Sequence, residues 1–307
     1  LDRVAELKAA NAKLDLLYDD FAVEVALREA GAQRCHFRCD ARLPPKPLMV
    51  KVELPDKITP HQAGQYILSP DFCLQEKRNG KHRLITRDNG VLACYNRDGE
   101  QVDINKRFKF LLDPKFPAQF ALDVELESEE IYILDVLLSK NIPLVELPYK
   151  DRIAEALIAY DDRHSDLHVV ESTFGEKDKF TRIEQLSKVN AEGVVFKDLR
   201  APYREGRREQ HHALKFWKTL DAVVMGPSAK GHDSVDLGLF ANGKLKRICG
   251  SSLIGKGVIA SGDTVEIKYL YGTRERHAVQ PTILRKRDDK PAVQCTLNQL
   301  VINRDME

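Results

Sequence analysis

The chain has 307 residues, 43% of them apolar and 31% charged, with 48 Lys and Arg against 47 Asp and Glu. That composition belongs to an ordered globular protein long enough for two domains, and its near-neutral charge means that a polyanion would be met by local basic patches and not by a global field. No apolar run approaches the ~18 residues of a membrane span, and six scattered cysteines with no secretory leader fit reduced thiols in a soluble, intracellular protein.

Residues 1–45 open with an Ala-, Leu-, Glu- and Lys-rich stretch in which Leu14, Leu17, Phe21 and Val25 recur at helical spacing before Gly31, so a helical lead-in is expected. "RCHFRC" gathers Cys35, His36 and Cys39, but a zinc site needs a second ligand pair at similar spacing, and none follows. The proline-punctuated "ARLPPKPLMVKVELPDKITP" reads as an extended connection. Over 46–219 short β-like runs ("HRLI", "VLACY", "QFALDVEL", "IYILDVLL", "GVVFK") alternate with the helical stretches "YKDRIAEALIAY" and "FTRIEQLSKV", while "RDNG" and "NRDG" supply turns. An α+β domain with antiparallel sheets is expected there. From 220 to 307 glycine turns join strands with almost no helical period, as in a small closed β-barrel.

The chemistry starts from "CLQEKRNGKHRLI", which holds Glu76, Lys77, Arg78, Asn79 and Gly80 between two apolar runs. Alone, this is a solvated hairpin end. Two further strands carry charges on one face: "EGVVFKD" sets Val195 and Lys197 opposite Val194 and Phe196, and "ALDVELES" sets Asp123 and Glu125 opposite Leu122 and Val124. Lysines and carboxylates converging on one groove suit nucleotidyl transfer. Lysine is a weak nucleophile at its reference pKa of ~10.4, and nearby cations such as Arg78, Lys81, Lys197 and Lys215, with partial burial, would favour the neutral amine.

These residues resemble the covalent nucleotidyltransferase superfamily of ATP-dependent DNA ligases, RNA ligases and mRNA capping enzymes. "KRNG" is similar to its Lys-x-Asp-Gly motif. "LDVE", "YILDVLL", "EGVVFK", "LKFWK" and "QPTILRKRDDK" resemble the later motifs in the same order, between about Pro45 and Leu300. The resemblance implies a nucleotidyltransferase domain followed by an OB-fold domain, and an ATP-dependent polynucleotide ligase, in the first place a DNA ligase, that seals 5′-phosphate/3′-hydroxyl nicks through a lysyl-AMP intermediate. It further implies ATP and Mg²⁺ or Mn²⁺ as cofactors and a nicked duplex as partner of a monomeric, cytoplasmic protein, nucleoid-associated or of viral origin. By position, Lys77 is the nucleophile, Glu76 sits at the adenine edge, and Glu125 holds the ribose directly or through an arginine. Lys197 and Lys215 meet the α-phosphate, Glu192 and Asp123 serve the metal, and Arg287 and Lys290 orient the leaving pyrophosphate. Arg204, Arg207 and Arg208, in the basic "LRAPYREGRREQHH" that otherwise reads as a solvated loop, are the candidate nucleic-acid clamps.

The sequence departs from the family pattern in several places. Asn79 replaces an aspartate and Val124 a glycine. The family arginine after the nucleophile falls on His82, with Arg83 beside it, so either is the contact. The purine-stacking aromatic falls on Leu134, with Tyr132 on the same face as a substitute. Ala213 takes one lysine position of the closing motif, which leaves Lys215 and Lys218 as alternatives. An RNA ligase is the alternative within the superfamily, with a capping enzyme behind it, and a non-catalytic nucleic-acid-binding protein is the alternative of another class.

Overall fold

The computed structural model describes residues 51–229 and 233–303, without the side chains of 207–209. The expected helical lead-in over 1–45 and the Cys35, His36, Cys39 cluster lie outside the described residues. The chain divides into two compact units, one running to Ile183 and including Val194–Leu214, the other formed by Glu184–Gly193 and everything from Lys215 onward.

The first unit is built on two sheets. Strands β1 (Glu53–Lys57), β2 (Phe72–Glu76), β10 (Ser172–Thr173), β11 (Gly193–Asp198) and β12 (Gly206–Lys215) form one, in the order β1-β12-β11-β2-β10. The other runs β5-β4-β3-β6-β7-β8, from β3 (Lys81–Asp88), β4 (Val91–Asn96), β5 (Gln101–Val102), β6 (Phe120–Glu127), β7 (Glu130–Ser139) and β8 (Ile142–Pro143), and β9 (Leu167–Val169) pairs with β7. Most pairings are antiparallel, but β1–β12 and β7–β9 are parallel. The turn "RDNG" closes β3 on β4 with Asn89 and Gly90 both at positive φ, 47° and 76°, the backbone that a two-residue hairpin turn needs.

Two sequence expectations need correcting. The proline-rich connection ends in a paired strand: β1 runs beside β12, and Pro55, which has no N–H to donate, sits at the break in register between Pro55 and Asp56. The expected loop "LRAPYREGRREQHH" becomes strand from Gly206, with His211 and His212 buried. Helix α1 (Pro60–Leu68), unexpected from apolar spacing, is set by a capping box between Thr59 and Gln62, with proline in its first turn. The two expected helices form as α2 (Tyr149–Tyr160) and α3 (Glu176–Lys188).

The seven-stranded sheet is buried on both faces, which is why β6 reads as nearly continuous buried positions. Ile85, Leu122 and Val124 pack with Tyr149, Ile153 and Tyr160 of α2, while Leu84, Ala121 and Leu137 pack with Val52 and Tyr203. Arg152 and Asp135, both fully buried, pair through two 2.8 Å bonds, and Arg152 also donates to the carbonyls of Leu147 and Ala201. This satisfied ion pair fixes α2 to β7 and to the segment leading to Tyr203.

The second unit holds a five-stranded antiparallel sheet in the order β15-β14-β13-β16-β17, from β13 (Lys218–Pro227), β14 (Ser234–Ala241), β15 (Lys244–Ser252), β16 (Thr264–Tyr269) and β17 (Thr282–Lys286). Its own core includes Leu220, Val235, Leu237, Ile248, Val265, Ile267 and Ile283.

Candidate active site

Residues 77–80 leave β2 in one sheet and enter β3 in the other, so Lys77 lies where the two sheets part. Gly80 is required by close approach: a Cβ there would stand 2.1 Å from the Leu126 carbonyl oxygen. The same approach lets the Gly80 N–H donate to Glu125 Oε1 at 2.9 Å. Thus the motif glycine ties the lysine-bearing turn to the carboxylate strand.

A cleft opens there, lined by Lys77, Glu76, Arg78, His82, Asp123, Glu125 and Lys197, with Pro55, Leu134 and Val195 as apolar wall and Glu53, Gln75 and His211 beside them. Lys77 Nζ lies 3.4 Å from the Arg78 carbonyl oxygen, and the buried Lys197 ammonium stands 4.9 Å from the Tyr149 ring centroid.

Behind the cleft runs a chain of hydrogen bonds. His82 Nε2 meets Asp123 Oδ1 at 2.5 Å, the Tyr203 hydroxyl donates to Asp123 Oδ2 at 2.9 Å, and the Glu53 N–H donates to the Tyr203 oxygen at 2.8 Å. Burial alone would push the His82 pKa down, but the Asp123 charge and hydrogen bond, helped by Glu125, outweigh it and hold His82 above its ordinary value. Burial raises the Glu125 carboxyl in spite of the His82 and Lys77 charges and the Gly80 bond.

Not every expected residue faces this cleft. His82 does, and Arg83, on the alternate face of β3, does not. Leu134 lines the wall; Tyr132 does not, since the Arg78 guanidinium lies 3.7 Å over its ring and its hydroxyl bonds Glu130. Arg78 is held in turn by Glu127 and Glu76. Glu192 and Lys215 belong to the second unit and pair with each other at 2.6 Å, Lys215 also donating to Gln280. Lys218 donates to the Leu270 carbonyl, and its burial lowers its pKa. Arg287 and Lys290 converge on Asp221, at 3.0 and 2.5 Å. Arg204 forms a two-pronged pair with exposed Glu146, and the side chains of Arg207 and Arg208 lie outside the described ones. Among the described residues no group of three or more His, Cys, Asp or Glu side chains is placed to hold a metal ion.

Sequence reading missed Glu53, Pro55, Gln75 and His211. All four reach the cleft through pairings between distant segments, β1 with β12 and β2 with β10 and β11, that local pattern does not encode.

No protein-family model matches the sequence, and no curated protein matches it. Solved structures share its fold. One described as Pmar-Lig_Pre aligns at a TM-score of 0.60 with 13% identity, covering 78% of this chain and 68% of that one. Another, described as a structure-function analysis of Lig E DNA ligases binding DNA with a minimal scaffold, aligns at 0.56 with 14% identity over 77% of this chain and 98% of its own. A mycobacterial DNA ligase D complexed with ATP is 19% identical over 81% of this chain and 99% of its own, at 0.49. The chain shares its fold with solved DNA ligase structures. Among the described residues no helix is long and apolar enough to cross a membrane.

Proposed function

We propose that the protein is an ATP-dependent polynucleotide ligase that joins DNA strands at nicks. The observation that carries this reading is the seating of Lys77: its turn is bonded through Gly80 to Glu125, beside Lys197 and His82, in one cleft of a fold shared with DNA ligase structures. In this reading the Lys77 amine attacks the α-phosphorus of ATP. A P–N bond forms, the bond from that phosphorus to the bridging oxygen breaks, and pyrophosphate leaves while the amine gives up a proton. AMP then passes to a 5′-phosphate, and the neighbouring 3′-hydroxyl displaces AMP to close the strand.

The chain's own residues bind and orient. Lys197 and Lys215 are the proposed partners of the α-phosphate, and Glu125 of the ribose hydroxyls. His82, whose charged form Asp123 favours, is held at the cleft by the same hydrogen-bond chain. Arg287 and Lys290 are the proposed partners of the pyrophosphate, and the antiparallel strands of the second unit support an OB-fold reading. Glu192 is the proposed metal anchor. Asp123 fits that role poorly because both its oxygens are already engaged by His82 and Tyr203. Arg204, Arg207 and Arg208 are the proposed contacts to the nucleic-acid backbone, and the minimal-scaffold DNA binding stated for the Lig E relative supports DNA as the partner. The test is incubation with α-labelled ATP, then a chase with nicked DNA, RNA and hybrid duplexes. Loss of label from protein to nicked DNA with sealing is expected; a chase by RNA alone would make the protein an RNA ligase.

A further inference from the structure

Glu53 is a buried carboxylate in the cleft with no task in the proposed reaction. Its side chain is 2% exposed, and it lines the cleft near Pro55, Gln75 and Val195. Oε2 lies 3.0 Å from Nε2 of His211, which carries the ring proton because Nδ1 accepts from the Asp198 N–H, whereas Oε1 has no hydrogen-bond partner. His211 is a poor counter-charge. Its Nδ1 faces the Asp198 N–H at 3.2 Å, and burial followed by the Lys197 charge holds its pKa below the usual value, Glu53 notwithstanding.

A buried carboxylate oxygen without a donor is unfavourable, so Oε1 is open to a donor from the cleft. The Glu53 backbone is also anchored, because its N–H donates to Tyr203, which bonds Asp123 and through it His82. Phosphate offers acceptors and would be repelled. No group of three or more ligating side chains is placed to hold a cation among the described residues. What remains is an N–H or O–H of a neutral group. Pro55 two residues along β1 and Val195, paired with Gln75, give the neighbourhood apolar surface, which suits a flat base more than a sugar.

Resting on the ligase reading, we infer that Glu53 accepts a hydrogen bond from the exocyclic amine of adenine and is the residue that selects ATP over triphosphates lacking that amine. A site built to bond a donor rejects the analogue without it, because the buried acceptor is then left unpaired. The expected preference for ATP over purine riboside triphosphate is roughly ten- to hundredfold in the rate of adduct formation per unit concentration.

The experiment follows the nucleotide adduct by intact-protein mass spectrometry for the full chain with ATP, purine riboside triphosphate, ITP and GTP. Glu53→Leu and Glu53→Gln are compared with wild type, and thermal melts confirm folding. The inference expects Glu53→Leu to bring ATP and purine riboside triphosphate to nearly equal rates, and Glu53→Gln, which retains one acceptor oxygen, to keep part of the preference. A wild-type preference that survives in both variants overturns it, as does a wild type that forms adduct equally well with both triphosphates. GTP favoured by wild type through Glu53 would overturn the assignment to adenine. No adduct with any triphosphate would instead sink the ligase reading itself, and this inference with it.

Discussion

Gly80→Ala isolates the contact that seats the proposed nucleophile. The new Cβ would lie 2.1 Å from the Leu126 oxygen, 2.6 Å from its carbonyl carbon and 3.1 Å from Glu125 Cγ. Ordinary contact begins at 3.4 Å, about 1.3 Å farther than the Leu126 oxygen allows. Leu126 cannot retreat, because it is paired in β6 with Lys81 on one side and Ile131 on the other. The turn must therefore move, and Lys77, three residues upstream, moves with it. Overpacking of this kind costs about 1–3 kcal/mol, or very roughly 2–4 °C of Tm for each kcal/mol in a chain of this size. Displacing a reacting group by ~1 Å costs on the order of 100-fold in rate. The assay is single-turnover adduct formation at saturating ATP beside a thermal melt, with Gly64→Ala as control, since an ideal Cβ at Gly64 in α1 meets nothing within 4 Å. Gly64→Ala should be neutral or mildly stabilising. Wild-type labelling and melting by Gly80→Ala would refute the claim that this approach positions Lys77.

Three other outcomes follow from the site. Glu192→Ala should remove most sealing activity at every Mg²⁺ concentration, whereas Asp198→Ala, whose carboxylate accepts from the Arg200 N–H, should change it little; equal losses would indicate a damaged strand and not a lost anchor. Alanine at Arg287 or Lys290 should slow self-adenylylation but spare sealing of a nick that already carries 5′-adenylate, and the reverse pattern would make the second unit a nucleic-acid clamp. For His82, whose folded-state pKa is raised, the stabilisation relative to His82→Gln should be full below the unfolded value of about 6.5 and decline as pH rises through the higher folded value. Denaturant melts from pH 5 to 9 check this, and a difference that grows with pH would contradict it.

Contiguous features were the legible ones. The alternation in "HRLI" and "VLACY" around "RDNG" marks the β3–β4 hairpin, and "KRNG" marks the turn that crosses between sheets. Helix α1 had a signal, Thr59 with Pro60 and Gln62, but apolar spacing alone passed over it because only Ala63 and Ile67 are buried. Long-range pairing hid the rest. β1 and β12 lie about 150 residues apart and run parallel, so "RREQHH" looked like a loop and Glu53 like part of a linker. Tyr132 was a reasonable substitute for the stacking aromatic until Arg78 covered its ring, a contact that depends on Glu127 drawing the guanidinium over β7. Side-chain alternation separates His82 from Arg83, but only the pairing of β3 with β6 shows which of them faces Asp123.

The central claim is that Lys77 takes a nucleotide from ATP. Its most direct test is to incubate the full chain with α-labelled ATP, denature it, digest it and map the label by mass spectrometry, with Lys77→Arg in parallel. The account predicts one acid-labile adduct on Lys77 and none in Lys77→Arg, which keeps the charge but supplies no neutral amine. Label on Lys81 or Lys197, undiminished labelling of Lys77→Arg, or no label on the wild-type chain would contradict it.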